Sequence, residues 1–268
     1  MLEVFEYQFM QFALLGGVMI ATLCAMIGTF LVPQRFSLLG DGLAHLAFGG
    51  IAIGLVLGLP PLLTAAVVCV VGALYLSYNR NNEKVYGESA IAVLLTLGMA
   101  IAILLISIAG GFNVDLFGYL FGSILTITLT ELYIILLVLL FVSMFMWYNY
   151  HDLCLYTFHQ GLARVSGVHA GMLGTTFLVL TAVTTVLSIR VVGILLITAL
   201  IVLPVISAMQ LARSMKQNLV YSIIIGNLSV IMGIVASFYL DLPTSSIIVL
   251  ILTVVYGGCS VLIGRNFT

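Results

Sequence analysis

Residues 7–34 read YQFMQFALLGGVMIATLCAMIGTFLVPQ, a run that contains no Asp, Glu, Lys or Arg. A membrane-spanning helix needs about 20 consecutive, mostly apolar residues, so this run is long enough to cross a bilayer. Further charge-free runs cover residues 42–79, 89–114, 191–212, 218–240 and 242–264. The short alternating segments typical of a β-barrel are missing from the sequence, so the runs predict an all-α, polytopic transmembrane helical bundle.

The composition excludes soluble enzymes and nucleic-acid binders. Hydrophobic types make up 63% of the 268 residues and charged types 6%, whereas soluble domains carry about 25% charged residues. The 8 basic residues are balanced by 9 acidic ones, which leaves no positive field for nucleic acid. Phosphate-binding, zinc-protease and serine-hydrolase motifs are missing from the sequence. We therefore expect a protein whose solvent is lipid, with no nucleic-acid partner, no bound cofactor and no catalytic residues.

The positions of the charged residues predict about nine membrane spans and their orientation across the membrane. With the N-terminus outside, seven of the eight basic residues fall on inner segments, which is the bias expected of cytoplasmic loops. The prediction is therefore an outer N-terminus and an inner C-terminus, although a re-entrant segment would change the count to eight or ten. The spans are predicted near residues 9–32, 37–58, 62–78, 89–109, 124–147, 173–189, 191–211, 218–240 and 245–263.

Two connections and one arginine are candidate contact points for partners. The inner connection 148–172 predicts a short helix over 160–166, ended by Gly167 as a C-cap glycine, and is either a docking site for a cytoplasmic partner or a plain surface loop. The outer connection 110–123 is rich in aromatic residues, which indicates an aromatic belt or a short interfacial helix. Arg190 is the one basic residue on the outer side. Its guanidinium is expected either to reach lipid headgroups or to pair with an acidic group of an external partner.

Two ionisable residues, Asp41 and His45, lie in the second predicted span. Their i,i+4 spacing places both on one helical face, one turn apart. Ionisable groups in a span usually face a cavity or pathway, and a carboxylate and an imidazole are standard ligands of zinc and related divalent ions. The alternative is a carboxylate placed at the helix N-terminal dipole beside a core histidine. Two ligands are too few for a closed metal site, which suits a transporter that must release its ion.

The same span is rich in small residues, including a Gly50-x-x-x-Gly54 step. Small residues let helix backbones approach closely in membranes, so we expect this helix deep in the bundle, with the ionisable pair lining an internal space. In the seventh span, Pro204 removes a backbone donor and frees the carbonyl oxygen of Leu200. We expect a kink there, a feature common both in gates and in plain bundles.

Four separated strings resemble the permease subunits of the metal-ion ABC importers, the zinc and manganese type called the ABC-3 family. Residues 37–54 (SLLGDGLAHLAFGGIAIG) are similar to the family's Gly-Asp-Ala-x-x-His core. Residues 188–208 are similar to its Val-Gly-x-Leu-Leu-x-x-Ala-Leu-x-x-x-Pro segment, and residues 115–122 are similar to a third family segment. Residues 163–168 (ARVSGV) resemble the inner loop that seats the ATPase. The strings occur in the family's order along nearly the whole chain.

The resemblance implies a single permease domain over residues 1–268 in a bacterial or archaeal cell membrane. Its partners would be a second permease copy in a homodimer, two cytoplasmic ATPase subunits and an extracytoplasmic metal-binding protein. The cargo would be a divalent transition metal, zinc ahead of manganese or iron; an ion-coupled secondary carrier without an ATPase is the alternative. By position, the predicted roles are the metal pathway for Asp41 and His45, ATPase coupling for Ala163, Arg164, Ser166 and Gly167, and a gate or kink for Gly193 and Pro204.

Overall fold

The computed structural model describes residues 7–81, 87–109, 118–120, 122 and 127–264, which are mostly helical. In chain order the helices are α1 (Gln8–Leu31), α2 (Leu39–Leu57), α3 (Pro61–Asn81), α4 (Gly87–Ile108), α5 (Leu129–Tyr148), α6 (Tyr150–Phe158), α7 (Gln160–Val165), α8 (Ala170–Val192), α9 (Ile194–Leu211), α10 (Met215–Leu240) and α11 (Thr244–Gly264). Within these described ranges, nine helices are long and apolar enough to cross a membrane. The predicted all-α, polytopic bundle is therefore confirmed.

Three helices form the centre of the bundle. Most residues of α1, α2 and α8 are buried, whereas fewer than a third of the residues of α4, α5 and α11 are buried. The most extensive packing of α2 is against α3 and α4, while α1 packs on α10, and α9 packs on both α10 and α11. Large apolar side chains such as Leu137, Met144 and Val254 cover the outer faces. An apolar surface of this extent suits contact with lipid.

The structure moves two of the predicted helix boundaries. The division between the sixth and seventh spans, expected near Arg190, falls at Gly193, where the backbone has a φ of 80°. The helix of the fifth span, expected from residue 124, begins where Thr128 and Glu131 form a capping box. Hydropathy carries no information on either feature, because a glycine conformation and a side-chain cap depend on local backbone geometry.

The inner connection 148–172 contains more helix than predicted. It holds both α6 and α7, which are separated at His159, and α7 corresponds to the helix predicted over 160–166. Gly167 follows with a φ of 82°, a left-handed conformation that suits a C-cap glycine. Most of the aromatic outer connection, including Asp115 of the third family string, lies outside the described residues.

Glycines on α2 allow the closest helix contacts around it. A Cβ atom at Gly49 would lie 2.9 Å from the carbonyl oxygen of Gly98 on α4. A Cβ atom at Gly50 would lie 2.7 Å from the Cα atom of Ala65 on α3. Both neighbours are backbone atoms and cannot rotate away. The small residues of this span therefore bring two helix backbones against α2, as predicted.

We expect Gly49→Leu to destabilise the protein, because the new side chain would collide with the backbone of α4. Overpacking of this kind costs about 1–3 kcal/mol. The matched control is Gly258→Leu, since a Cβ atom at that exposed position of α11 meets nothing within 4 Å. The melting temperature of detergent-purified protein measures the effect. Equal melting temperatures for the two variants would contradict the close contact between α2 and α4.

Candidate functional site

Asp41 and His45 face each other near the beginning of α2. Asp41 lies in the first turn, where a carboxylate also interacts favourably with the helix dipole. Nε2 of His45 lies 3.5 Å from Oδ1 of Asp41, and 18% of the His45 side chain and 34% of the Asp41 side chain are exposed. The i,i+4 spacing therefore brings the two side chains together, and the pair stays partly accessible from outside the chain.

A third side chain reaches this pair from α9. The hydroxyl of Thr198 donates a hydrogen bond to Oδ1 of Asp41 over 3.4 Å. Gly40 allows α9 to come close, since a Cβ atom there would lie 2.9 Å from Cδ1 of Ile201. Thr198 is not among the site residues predicted from the sequence. Its signal was nevertheless present, because Thr198 is the one hydroxyl-bearing residue between positions 191 and 205.

Taken as candidate metal ligands, Asp41 and His45 would form an incomplete set. A carboxylate oxygen and an imidazole nitrogen are suitable ligands for zinc, manganese and iron. Nδ1 of His45 is buried and has no hydrogen-bond partner among the residues that the structure describes. One of the two ring nitrogens therefore makes no hydrogen bond to the surrounding protein. Over the same residues, no group of three or more His, Cys, Asp or Glu side chains is placed to hold a metal ion. Such a partial site would bind an ion weakly and release it.

The residues predicted to couple to an ATPase divide between a buried and an exposed part of the inner connection. Ala163 is completely buried, whereas Arg164, Ser166 and Gly167 are exposed. Three apolar side chains of α6 and α7 are also exposed, namely Phe158 at 60%, Leu162 at 54% and Val165 at 87%. Exposed apolar side chains clustered on a short helical segment are typical of a surface that binds another protein.

Arg190 has a partner within the chain that the sequence analysis missed. Its Nε atom lies 2.8 Å from Oε1 of Glu131, so the pair links α8 to α5. The other carboxylate oxygen of Glu131 accepts a hydrogen bond from the backbone N–H of Thr128. The two charged residues lie on different helices, so no spacing in the sequence indicates their contact. Docking of an external protein at Arg190 stays a prediction, and Glu131 would compete with that protein for the guanidinium.

Gly193 and Pro204 lie at irregular points of the two helices that follow the inner connection. Gly193 separates α8 from α9 with φ 80° and ψ 162°, a conformation that is essentially restricted to glycine. Pro204 lies inside α9, where its ring deprives the carbonyl oxygen of Leu200 of its helical donor. A gating role for either residue stays a prediction.

The nine apolar helices in the described part of the chain define a polytopic membrane protein, and its family defines it further as a permease. It belongs to the ABC-3 family, described as the ABC 3 transport family, which it matches over residues 6–262. The chain is therefore a multi-pass cell-membrane protein and the permease of an ABC metal importer, whose ATP-hydrolysing subunit is a separate protein. The ion-coupled carrier that works without an ATPase, left open by the sequence, does not agree with this membership.

Relatives of similar length are known in several bacteria. The chain is 30% identical to the manganese transport system membrane protein MntC of Halalkalibacterium halodurans over 254 residues, which are 95% of this chain and 87% of that protein. It is 31% identical to the chelated iron transport system membrane protein YfeD of Yersinia pestis over 253 residues, or 93% of this chain and 84% of that protein. The structure of PsaBC from Streptococcus pneumoniae in complex with Fab matches with a TM-score of 0.84 at 25% identity, covering 96% of this chain and 92% of the other.

We expect Glu131→Gln to lower the melting temperature slightly. A glutamine still serves at the third position of a capping box but offers no charge to Arg190, and a partly exposed ion pair contributes up to about 1 kcal/mol. A double-mutant cycle with Arg190→Gln, read from melting temperatures, isolates the contribution of the pair. Strictly additive effects of the two substitutions would contradict a stabilising contact.

Proposed function

We propose that Asp41 and His45 form a transient binding site for a divalent transition metal on its way through the permease, with manganese as the first candidate. The observation that carries this proposal is the 3.5 Å approach of the imidazole to the carboxylate within a membrane-spanning helix. A charged group at the centre of a span costs about 2.5–3.5 kcal/mol on insertion scales, and ionisable groups within a span usually face the bundle interior or a pathway. Among the described residues, the buried Nδ1 atom of His45 has no hydrogen-bond partner, which supports a site that the protein alone does not complete.

The choice of metal rests on ligand chemistry and on the relatives. Carboxylate oxygen and imidazole nitrogen suit manganese, iron and zinc, and selectivity in cells depends on site geometry and metal supply. The sequence resemblance favours zinc, whereas the two relatives described above are named for manganese and for chelated iron. We therefore rank manganese first and iron second, and zinc remains the prediction from the sequence.

We infer that the end of the bundle that carries α6 and α7 faces the cytoplasm, with the N-terminus outside. The distribution of basic residues supports this orientation. Two ATPase subunits would dock at this end, around Arg164, Ser166 and Gly167, and their movements would drive alternating access. A second copy of the permease would complete a homodimer. On the outer side, an extracytoplasmic binding protein would deliver the metal, with Arg190 as a candidate contact.

Substitution of the proposed ligands tests the pathway. We expect Asp41→Asn and His45→Gln each to lower manganese uptake into cells at least about tenfold, the kind of loss seen when groups around a metal site are removed. The assay measures manganese, iron and zinc accumulation at matched amounts of protein in the membrane. The control is Asp241→Asn, which removes one charge at an exposed position whose φ of 53° asparagine tolerates.

Normal uptake of all three metals by both site variants would contradict the proposed pathway. If the two variants lose zinc uptake while manganese and iron uptake stay normal, the ranking of the metals is wrong but the pathway is retained.

The exposed apolar surface of α7 is the proposed ATPase contact. We expect Val165→Glu to weaken co-purification of the ATPase subunit at least about tenfold, because a carboxylate would lose its water in an apolar contact that carries binding energy. The control is Val165→Ile, which keeps the surface apolar. Unchanged co-purification of the Val165→Glu variant would mean that the ATPase docks elsewhere.

A further inference from the structure

Arg80 lies where three parts of the chain meet at one end of the bundle. It is the penultimate residue of α3. Its side chain contacts the loop between α1 and α2 on one side and the helices α6 and α7 on the other. Asp41 lies in the first turn of α2, directly after that loop.

The guanidinium of Arg80 joins two amide side chains from different segments. Its Nη2 atom donates to Oε1 of Gln34, in the loop after α1, over 2.8 Å. The amide of Gln160, the first residue of α7, lies against the guanidinium. In the amide orientation that satisfies both groups, its oxygen accepts from Nε over 3.0 Å and also from Nη2. A planar fork of donors can hold both acceptors at once, which the compact ammonium of a lysine does poorly. Arg80 therefore binds α7 and the α1–α2 loop into one unit.

Two aromatic rings enclose the same cation. The Cζ atom of Arg80 lies 4.7 Å from the ring centroid of Phe36 and 4.8 Å from that of Tyr156, within the range of a cation–π interaction. Tyr156 is a buried residue of α6, and burial raises the pKa of its phenol. Phe36 is tied to α2, because its carbonyl oxygen accepts the backbone N–H of Leu39 over 2.9 Å. The cation thus lies between α6 and the start of α2.

A second contact holds α6 to the α1–α2 loop. Nε2 of Gln34 donates to Oγ1 of Thr157 over 3.2 Å and to the carbonyl oxygen of Phe30 over 2.8 Å. The hydroxyl of Tyr156, also on α6, packs against Gly174 of α8, where a Cβ atom would collide with it. The cluster formed by Gln34, Phe36, Arg80, Tyr156 and Gln160, which we call the Arg80 cluster, is therefore anchored on several helices.

We infer that Arg80 is a positioning residue that transmits movement of α7 to the start of α2, and so to Asp41. The inference rests on the proposed docking of the ATPase at α7. A displacement of α7 moves Gln160, and Phe36 follows because both side chains are bound to the same planar group. Residues 37–40 alone separate Phe36 from Asp41 along the chain. The proposed metal pathway thus responds to the ATPase although the two are not in direct contact.

The test uses the whole complex of permease, ATPase subunits and binding protein, reconstituted in vesicles where manganese import and ATP hydrolysis are measured together. We expect Arg80→Gln to keep ATP hydrolysis near the parental rate and to lower the manganese imported per ATP about tenfold. Arg80→Lys keeps the charge without the fork, and Gln160→Ala removes only the acceptor on α7, so both should lower this ratio less. Arg213→Gln makes the same charge change at an exposed residue and should leave the ratio unchanged.

A parental ratio of manganese to ATP in both Arg80→Gln and Gln160→Ala would overturn the inference. If the Arg80→Gln variant no longer assembles with the ATPase, the Arg80→Lys variant takes its place in the test. Parental ratios of manganese to ATP in both Arg80→Lys and Gln160→Ala would then overturn the inference. Co-purification of the Val165→Glu variant separates the two proposals. Normal assembly of that variant overturns the docking at α7 and this inference with it. Lost assembly of that variant, together with a parental ratio in the Arg80 variants, overturns only the role of Arg80.

Discussion

The backbone of α2 lies directly against the backbones of α3 and α4 because Gly49, Gly50 and Gly98 carry no side chains at these contacts. In lipid, apolar helices gain no hydrophobic energy by associating, since hydrocarbon is as apolar as their side chains, so close packing decides which face turns inward. The packing buries most of α2. Asp41 and His45 can therefore lie in a membrane-spanning helix, because the neighbouring helices cover part of their side-chain surface and shield it from hydrocarbon.

Close packing also determines what surrounds this pair. Gly40 has no side chain, so α9 can approach α2 closely at this point. Thr198 of α9 then donates a hydrogen bond to the carboxylate of Asp41. Structural metal sites usually close a shell of four protein ligands, which holds the ion firmly. In the proposed site, one carboxylate, one imidazole and a neighbouring hydroxyl would leave such a shell open. An open shell suits a permease, because an ion that is held too firmly cannot move on.

Two arginines connect helices that are distant in the sequence, and they do so at opposite ends of the bundle. Arg190 joins α8 to the first turn of α5 through Glu131. Arg80 joins the end of α3 to α6, α7 and the α1–α2 loop, and Tyr156 of this cluster contacts Gly174 near the beginning of α8. The guanidinium is suited to both places, because its several donors and flat faces can meet different partners at once. The helix α2, which carries the proposed metal ligands, is thereby linked to the surface on which an ATPase would act.

The sequence by itself determined the helical class, the approximate spans, the common face of Asp41 and His45, and the end of α7 just before Gly167. These features are local, because lipid requires long apolar runs and a helix repeats every 3.6 residues. Only the tertiary structure decided the contact of Thr198 with Asp41, the pairing of Arg190 with Glu131 and the assembly of the Arg80 cluster. Each of these depends on which distant segments meet, and contacts between helices follow from the shapes of packed surfaces, which neither hydropathy nor spacing along the chain records.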